Sequence, residues 1–150
     1  MILVPLTLEG QAARGGNYEL FYSHEDLTEA TANTAQVLTF PILDKMSAEV
    51  VENVVDEAFE DASDNAFNTT TLIVGDGANA AELLTSQQLN VNGTEVLYKK
   101  GTGVSHVYTT TDTIDLTFGS MAAKSLVNID TGRGRLLLNI QDRRAIVGAH

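Results

Sequence analysis

Cysteine and tryptophan are both absent from this 150-residue chain. Without cysteine there is no disulfide, no thiol nucleophile and no zinc–thiolate centre, although the absence names no compartment. Aromatic residues are few, five Phe and four Tyr, which counts against a sugar-binding platform built on ring faces. No apolar run approaches the ~20 residues that a membrane helix needs. The opening MILVPLTLEGQAARGG lacks the basic start and long apolar core of a signal peptide, so no membrane partner is expected. Bases are scarce as well: nine Lys and Arg against twenty Asp and Glu give a net charge of −11. The imbalance is local. Residues 1–98 hold sixteen acids and two bases (2 − 16 = −14), and residues 99–150 hold four acids and seven bases (7 − 4 = +3). An acidic body repels phosphate backbones, which argues against a nucleic-acid partner. The basic C-terminal third suits an acidic surface, including that of a neighbouring copy.

What is present is a chain of one-domain length with 43% hydrophobic residues, enough for a packed core. Residues 1–33 read as an N-terminal arm or irregular layer containing one or two short strands, with residues 34–150 as the main domain. From Thr34 the pattern is β-like. AQVLTF ends at Pro41, a strand boundary or edge. TTTLIV (69–74) is a β-branched run. LNVNGTEVLY (89–98) places Asn92-Gly93 between alternating segments, a hairpin signal. TTDTIDLTF (110–118) points Ile114, Leu116 and Phe118 to one side. RLLLNIQ (135–141), preceded by a GRG turn, points Leu136, Leu138 and Ile140 inward. One segment conflicts: SAEVVENVVDEAF (47–59) has apolar residues at 50, 51, 54, 55, 58 and 59, a helical stripe. Short strands with Gly, Asn and Asp turns indicate an all-β sandwich or barrel.

LIVGDGANAAELL (72–84) has the local form of a dinucleotide fingerprint: an apolar run, then Gly75-x-Gly77-x-x-Ala80. A Rossmann unit requires a crossover helix and a parallel second strand. Only about nine residues (AAELLTSQQ) precede LNV, and Asp76 at the tip disfavours pyrophosphate. The expectation is a turn followed by one or two helical turns, with no cofactor. His24-Glu25-Asp26 cannot converge on a metal from extended chain. Asp61-Ala-Ser-Asp64-Asn65 misses the EF-hand ligand order. Acids 44–64 lack a sugar platform beside them, and Lys99-Lys100-Gly101-Thr102-Gly103 reads as a basic loop tip. No catalytic residue and no metal ligand is assigned. Arg133, Arg135, Arg143 and Arg144 present planar forks suited to carboxylates; they read as intersubunit ion pairs or, equally, as scattered surface charges.

In order, the blocks AQVLTFPI, EAFEDAS, TTTLIVGDG with ANAAELLTSQQL, EVLYKKGTG, TTTDTIDLTF and RLLLNIQD resemble the small jelly-roll decoration or cement proteins of tailed-bacteriophage heads, over about residues 34–142. The resemblance implies a jelly-roll β-sandwich of about eight strands. It also implies a non-enzymatic homotrimer on the outer surface of the virion, made in the host cytoplasm, that binds and reinforces the major capsid shell. Under it 47–59 is a strand, and that reading is adopted against the helical period. The arginines then also qualify as capsid-facing. The apolar start, Ile2, Leu3, Val4 and Leu6, suits an arm that adds to a neighbour's sheet edge. A tail, baseplate or host-attachment binding module on the same sandwich is the alternative.

Overall fold

A computed structural model of the protein describes residues 15–64, 69–90, 98–119 and 123–143. Among these residues nine strands run in chain order: β1 (Gly16–Ser23), β2 (Gln36–Ile42), β3 (Met46–Glu60), β4 (Thr71–Gly75), β5 (Leu84–Gln88), β6 (Tyr98–Lys100), β7 (His106–Val107), β8 (Asp112–Gly119) and β9 (Thr131–Asp142). They form two antiparallel sheets. One has the order β1-β9-β3-β6, with β7 also on β3; the other has the order β2-β8-β4-β5. Because β6 and β7 lie along the same neighbour, nine strands fill eight positions. Every connection changes sheet except β4–β5 and β6–β7. That alternation makes a jelly roll, the double Greek key that lets a sandwich close on itself. The all-β sandwich read from the sequence is the fold.

Period-2 patterning sets which side chains meet between the sheets. β9 turns Leu136, Leu138 and Ile140 inward, and β8 turns in Ile114, Leu116 and Phe118, all buried. Phe40 and Ile42 come from β2, an edge strand that carries Pro41 on its exposed side. An aromatic trio bridges the sheets at one end: the Tyr22 ring lies 5.3 Å from that of Phe118 and 5.8 Å from that of Phe59. Gly132 and Gly134 make room for it. They lie inside β9 rather than in the turn expected before it, and a Cβ on Gly134 would enter the Tyr22 ring, as one on Gly132 would enter that of Phe59.

β3 explains the conflicting segment. It is a single fifteen-residue strand whose pairing with β9 slips between Val50 and Glu52, between Val55 and Glu57 and between Glu57 and Glu60. Each bulge adds a residue and reverses the parity of the residues beyond it. Buried apolar and amide side chains therefore fall at 46, 48, 50, 53, 55 and 59, with Ser47 buried besides. Steps of three and four among steps of two imitate a helix.

Two expectations change. The boundary drawn at residue 33 falls inside the sandwich, because β1 pairs with β9 from Gly16↔Ile140 to Ser23↔Arg133. The stretch read as one or two helical turns after GDG is a non-helical turn, and LTSQQ is strand β5, antiparallel to β4. The hairpin expected about Asn92-Gly93 falls on a stretch that is not described; before it β5 pairs with β4, and after it Tyr98 opens β6 on β3 in the opposite sheet. Residues 91–97 themselves lie outside the described residues. Among those described, no helix is long and apolar enough to cross a membrane.

Candidate functional site

The GDGANA loop is a tight connection between antiparallel strands. Gly75 ends β4 so close to the returning chain that a Cβ there would collide with the Asn79 carbonyl. Asp76 then organises the turn. Its Oδ1 accepts from the N–H of Ala78 at 2.9 Å and of Asn79 at 2.7 Å, the local side-chain turn that aspartate favours. The glycine therefore serves backbone approach, with no crossover helix behind it.

Asp76 also has a long-range partner. β7 pairs Ala48 with His106, which sets the imidazole over the loop. Asp76 Oδ2 lies 3.1 Å from His106 Nε2, and Glu82 Oε2 lies 2.8 Å from Nδ1. The Tyr108 ring packs edge-on against His106 with centroids 4.5 Å apart. Thr102 ties the same loop down, donating from Oγ1 to the Glu82 carbonyl at 2.6 Å and from its N–H to that of Leu83 at 3.0 Å. Tyr108 is buried, and burial, reinforced by the charge of Asp76, pushes its phenol well above the ordinary value. Asp76, Glu82 and His106 are the described residues whose atoms lie close enough to share one metal ion. Sequence spacing could not have found them, because β5, β6 and the chain between separate the loop from its histidine.

The other sequence candidates are spread out. His24-Glu25-Asp26 is a 3-10 turn in which Asp26 and Ser23 cap each other, leaving no convergent ligand set. Asp61 Oδ1 is taken by the N–H and hydroxyl of Ser63, and Asp64 pairs with Lys124 at 2.6 Å. Lys99 and Lys100 are in β6 rather than at a loop tip, and Lys99 Nζ donates to the Ser86 carbonyl at 2.6 Å.

Arg133 and Arg135 stand on the outer face of the first sheet. Arg133 Nε contacts Glu57 at 3.1 Å; Arg135 donates to Asp56 at 3.0 Å and to Glu19 at 2.9 Å. Those two carboxylates hold the Arg135 guanidinium pKa above its ordinary value. Arg143 donates from Nε to Ser47 Oγ at 3.0 Å. Arg144, Ile2, Leu3, Val4 and Leu6 lie outside the described residues. Register places Phe21, Arg135, Val54 and Tyr98 in one row across β1, β9, β3 and β6. Phe21 is 41% exposed, Tyr98 59%, and Val51, pushed out by its bulge, 46%. A groove of about 350 Å³ opens nearby, lined by Asn17, Tyr18, Glu19, Val51, Leu137 and Leu138. This face combines apolar surface with arginines paired to carboxylates of the same chain. No known protein family and no curated protein matches the chain.

Proposed function

We propose that this protein is a non-enzymatic decoration protein of a tailed-bacteriophage head, which binds the outer surface of the major capsid shell as a homotrimer and reinforces it. The carrying observation is an agreement between the sequence blocks and the fold. The sequence blocks resemble that family, and the strand order β1-β9-β3-β6 over β2-β8-β4-β5 is the jelly roll the resemblance implies. Because a jelly roll serves many functions, the specificity of the reading comes from the blocks.

The surface supports adhesion as the task. Exposed Phe21, Val51 and Tyr98 on one sheet face offer apolar area of the kind that marks contact sites. A trimer repeats that face three times, so modest individual contacts add up to high avidity on a lattice.

Two measurements test the proposal. Size-exclusion chromatography with light scattering is expected to return three times the 16.1 kDa chain mass. Co-sedimentation is expected with expanded capsids and not with compact precursors. A monomer at all concentrations, or no sedimentation with either capsid form, overturns it. Binding to tail structures instead of heads moves the protein to the alternative class.

A further inference from the structure

We propose that Asp76, Glu82 and His106 form a binding site for a divalent transition-metal ion of the Zn²⁺ kind. The inference rests on this cluster alone and is independent of any role on a capsid. Two carboxylates address the two ring nitrogens of one imidazole, at 3.1 Å and 2.8 Å. A neutral imidazole has only one N–H. One of the contacts therefore sets a ring lone pair against a carboxylate oxygen, unless a cation stands there. A second ring proton or a metal ion meets that need.

The donor set selects the class of ion. One imidazole nitrogen with two carboxylate oxygens suits Zn²⁺ and its neighbours Co²⁺ and Ni²⁺, whereas Ca²⁺ takes six or more oxygens. One ligand atom from each residue lies within 4.8 Å of the others. Ligands held about 2.1 Å from a Zn²⁺ sit closer together than that, so Glu82 leaves Nδ1 and turns toward an ion held by Nε2 and Asp76 to complete the set.

The scaffold is already in place. Asp76 is fixed by the two N–H groups on Oδ1, which leaves Oδ2 free to face the ring. His106 is held by β7 and the edge of Tyr108, and the backbone of Glu82 by Thr102. The side chains of His106 and Glu82 are 26% and 24% exposed, so an ion can enter from solvent and complete its shell with water. Bound there, it would pin the β4–β5 loop of one sheet to β7 of the other. A metal ion takes its ligands deprotonated, so acid competes with it.

The test uses the full chain stripped with chelator and titrated with ZnCl₂, followed by calorimetry and thermal unfolding at pH 7.5 and 5.5. One saturable Zn²⁺ per chain is expected at pH 7.5, with a midpoint rise on the order of 5 °C, much reduced at pH 5.5. His106→Gln should abolish both. Because that variant can fail to fold, Glu82→Gln is the second arm, expected to weaken affinity about tenfold or more. Co²⁺ should give visible absorption that the same substitutions remove. An equal rise in wild type and His106→Gln, no saturable binding, or stabilisation by acid alone overturns the proposal; the last outcome would leave a protonated histidine bridge.

Discussion

Tyr22 and Tyr108 are both buried tyrosines, but among the described residues only Tyr22 has a partner for its hydroxyl. Tyr22 donates to Asn53 Oδ1 at 2.7 Å, and Asn53 passes the chain on to Gln87 Oε1 at 2.8 Å, linking the two sheets. The Tyr108 hydroxyl has no partner among the described residues. Tyr22→Phe should therefore cost about 1 kcal/mol at pH 7, whereas Tyr108→Phe should be neutral or stabilising by up to about 1 kcal/mol. Burial raises both phenol pKa values above the ordinary 10.0. The native chain then holds these protons at a pH where the unfolded chain has released them. Stability from this source is complete below about pH 10 and is lost as pH rises toward the folded-state values. Urea unfolding at pH 7 and pH 11 checks both points, with a shallower alkaline loss expected in either variant. A Tyr108→Phe variant as unstable as Tyr22→Phe at pH 7 would contradict the unpaired hydroxyl.

At the scale of the element, β3 shows how a bulge both hides a strand and shapes its surroundings. Val50 pairs with Leu138 and Glu52 with Leu137, so Val51 is the additional residue. Its carbonyl accepts from the Gly101 N–H at 3.2 Å. The strand opposite is interrupted at that point: β6 covers Glu52 to Val54, β7 covers Ser47 and Ala48, and the intervening chain reaches out to the β4–β5 loop. Deleting Val51 should leave a regular ladder with Asn53 and Val55 still inward, at a cost of about 1 kcal/mol for the lost hydrogen bond. Deleting Val54 should turn Val55 outward and Asp56 inward, costing about 3 kcal/mol or more. Thermal unfolding of the two deletions decides: equal losses would refute the parity account. The same parity explains what was legible. Strands β4, β8 and the Leu136–Ile140 part of β9 keep a strict period of two or a β-branched run, and their inward residues could be read directly. The bulged β3 needed a family likeness to be read as strand. Gly132 and Gly134 read as a turn because the rings above them, Tyr22 and Phe59, are distant in sequence. The Asp76–Glu82–His106 cluster was not legible at all, since sheet pairing alone brings β7 over the loop.

For the whole molecule, folding redistributes the charge that the sequence segregates. The basic third supplies β9, and β9 lies between β1 and β3, both drawn from the acidic body. Arg133 and Arg135 consequently meet Glu57, Asp56 and Glu19 within the same chain. Exposed pairs of this kind add little to stability and are screened by salt. With their forks engaged at home, these arginines are poor candidates for the main contacts between copies, and the apolar residues beside them are better ones. An assembly held by arginine pairs would dissociate as ionic strength rises; one held by Phe21, Val51 and Tyr98 would persist or tighten, because salt does not weaken apolar burial. Sedimentation equilibrium in 0.05 M and 1 M NaCl (roughly twentyfold apart, spanning Debye lengths from beyond 10 Å to about 3 Å) should therefore give one and the same mass, that of the proposed trimer. Phe21→Asp should shift it toward monomer while leaving the thermal midpoint of the isolated chain almost unchanged, since Phe21 projects from the outer face and not into the core. Dissociation by salt, with Phe21→Asp still trimeric, would return the interface to the arginines.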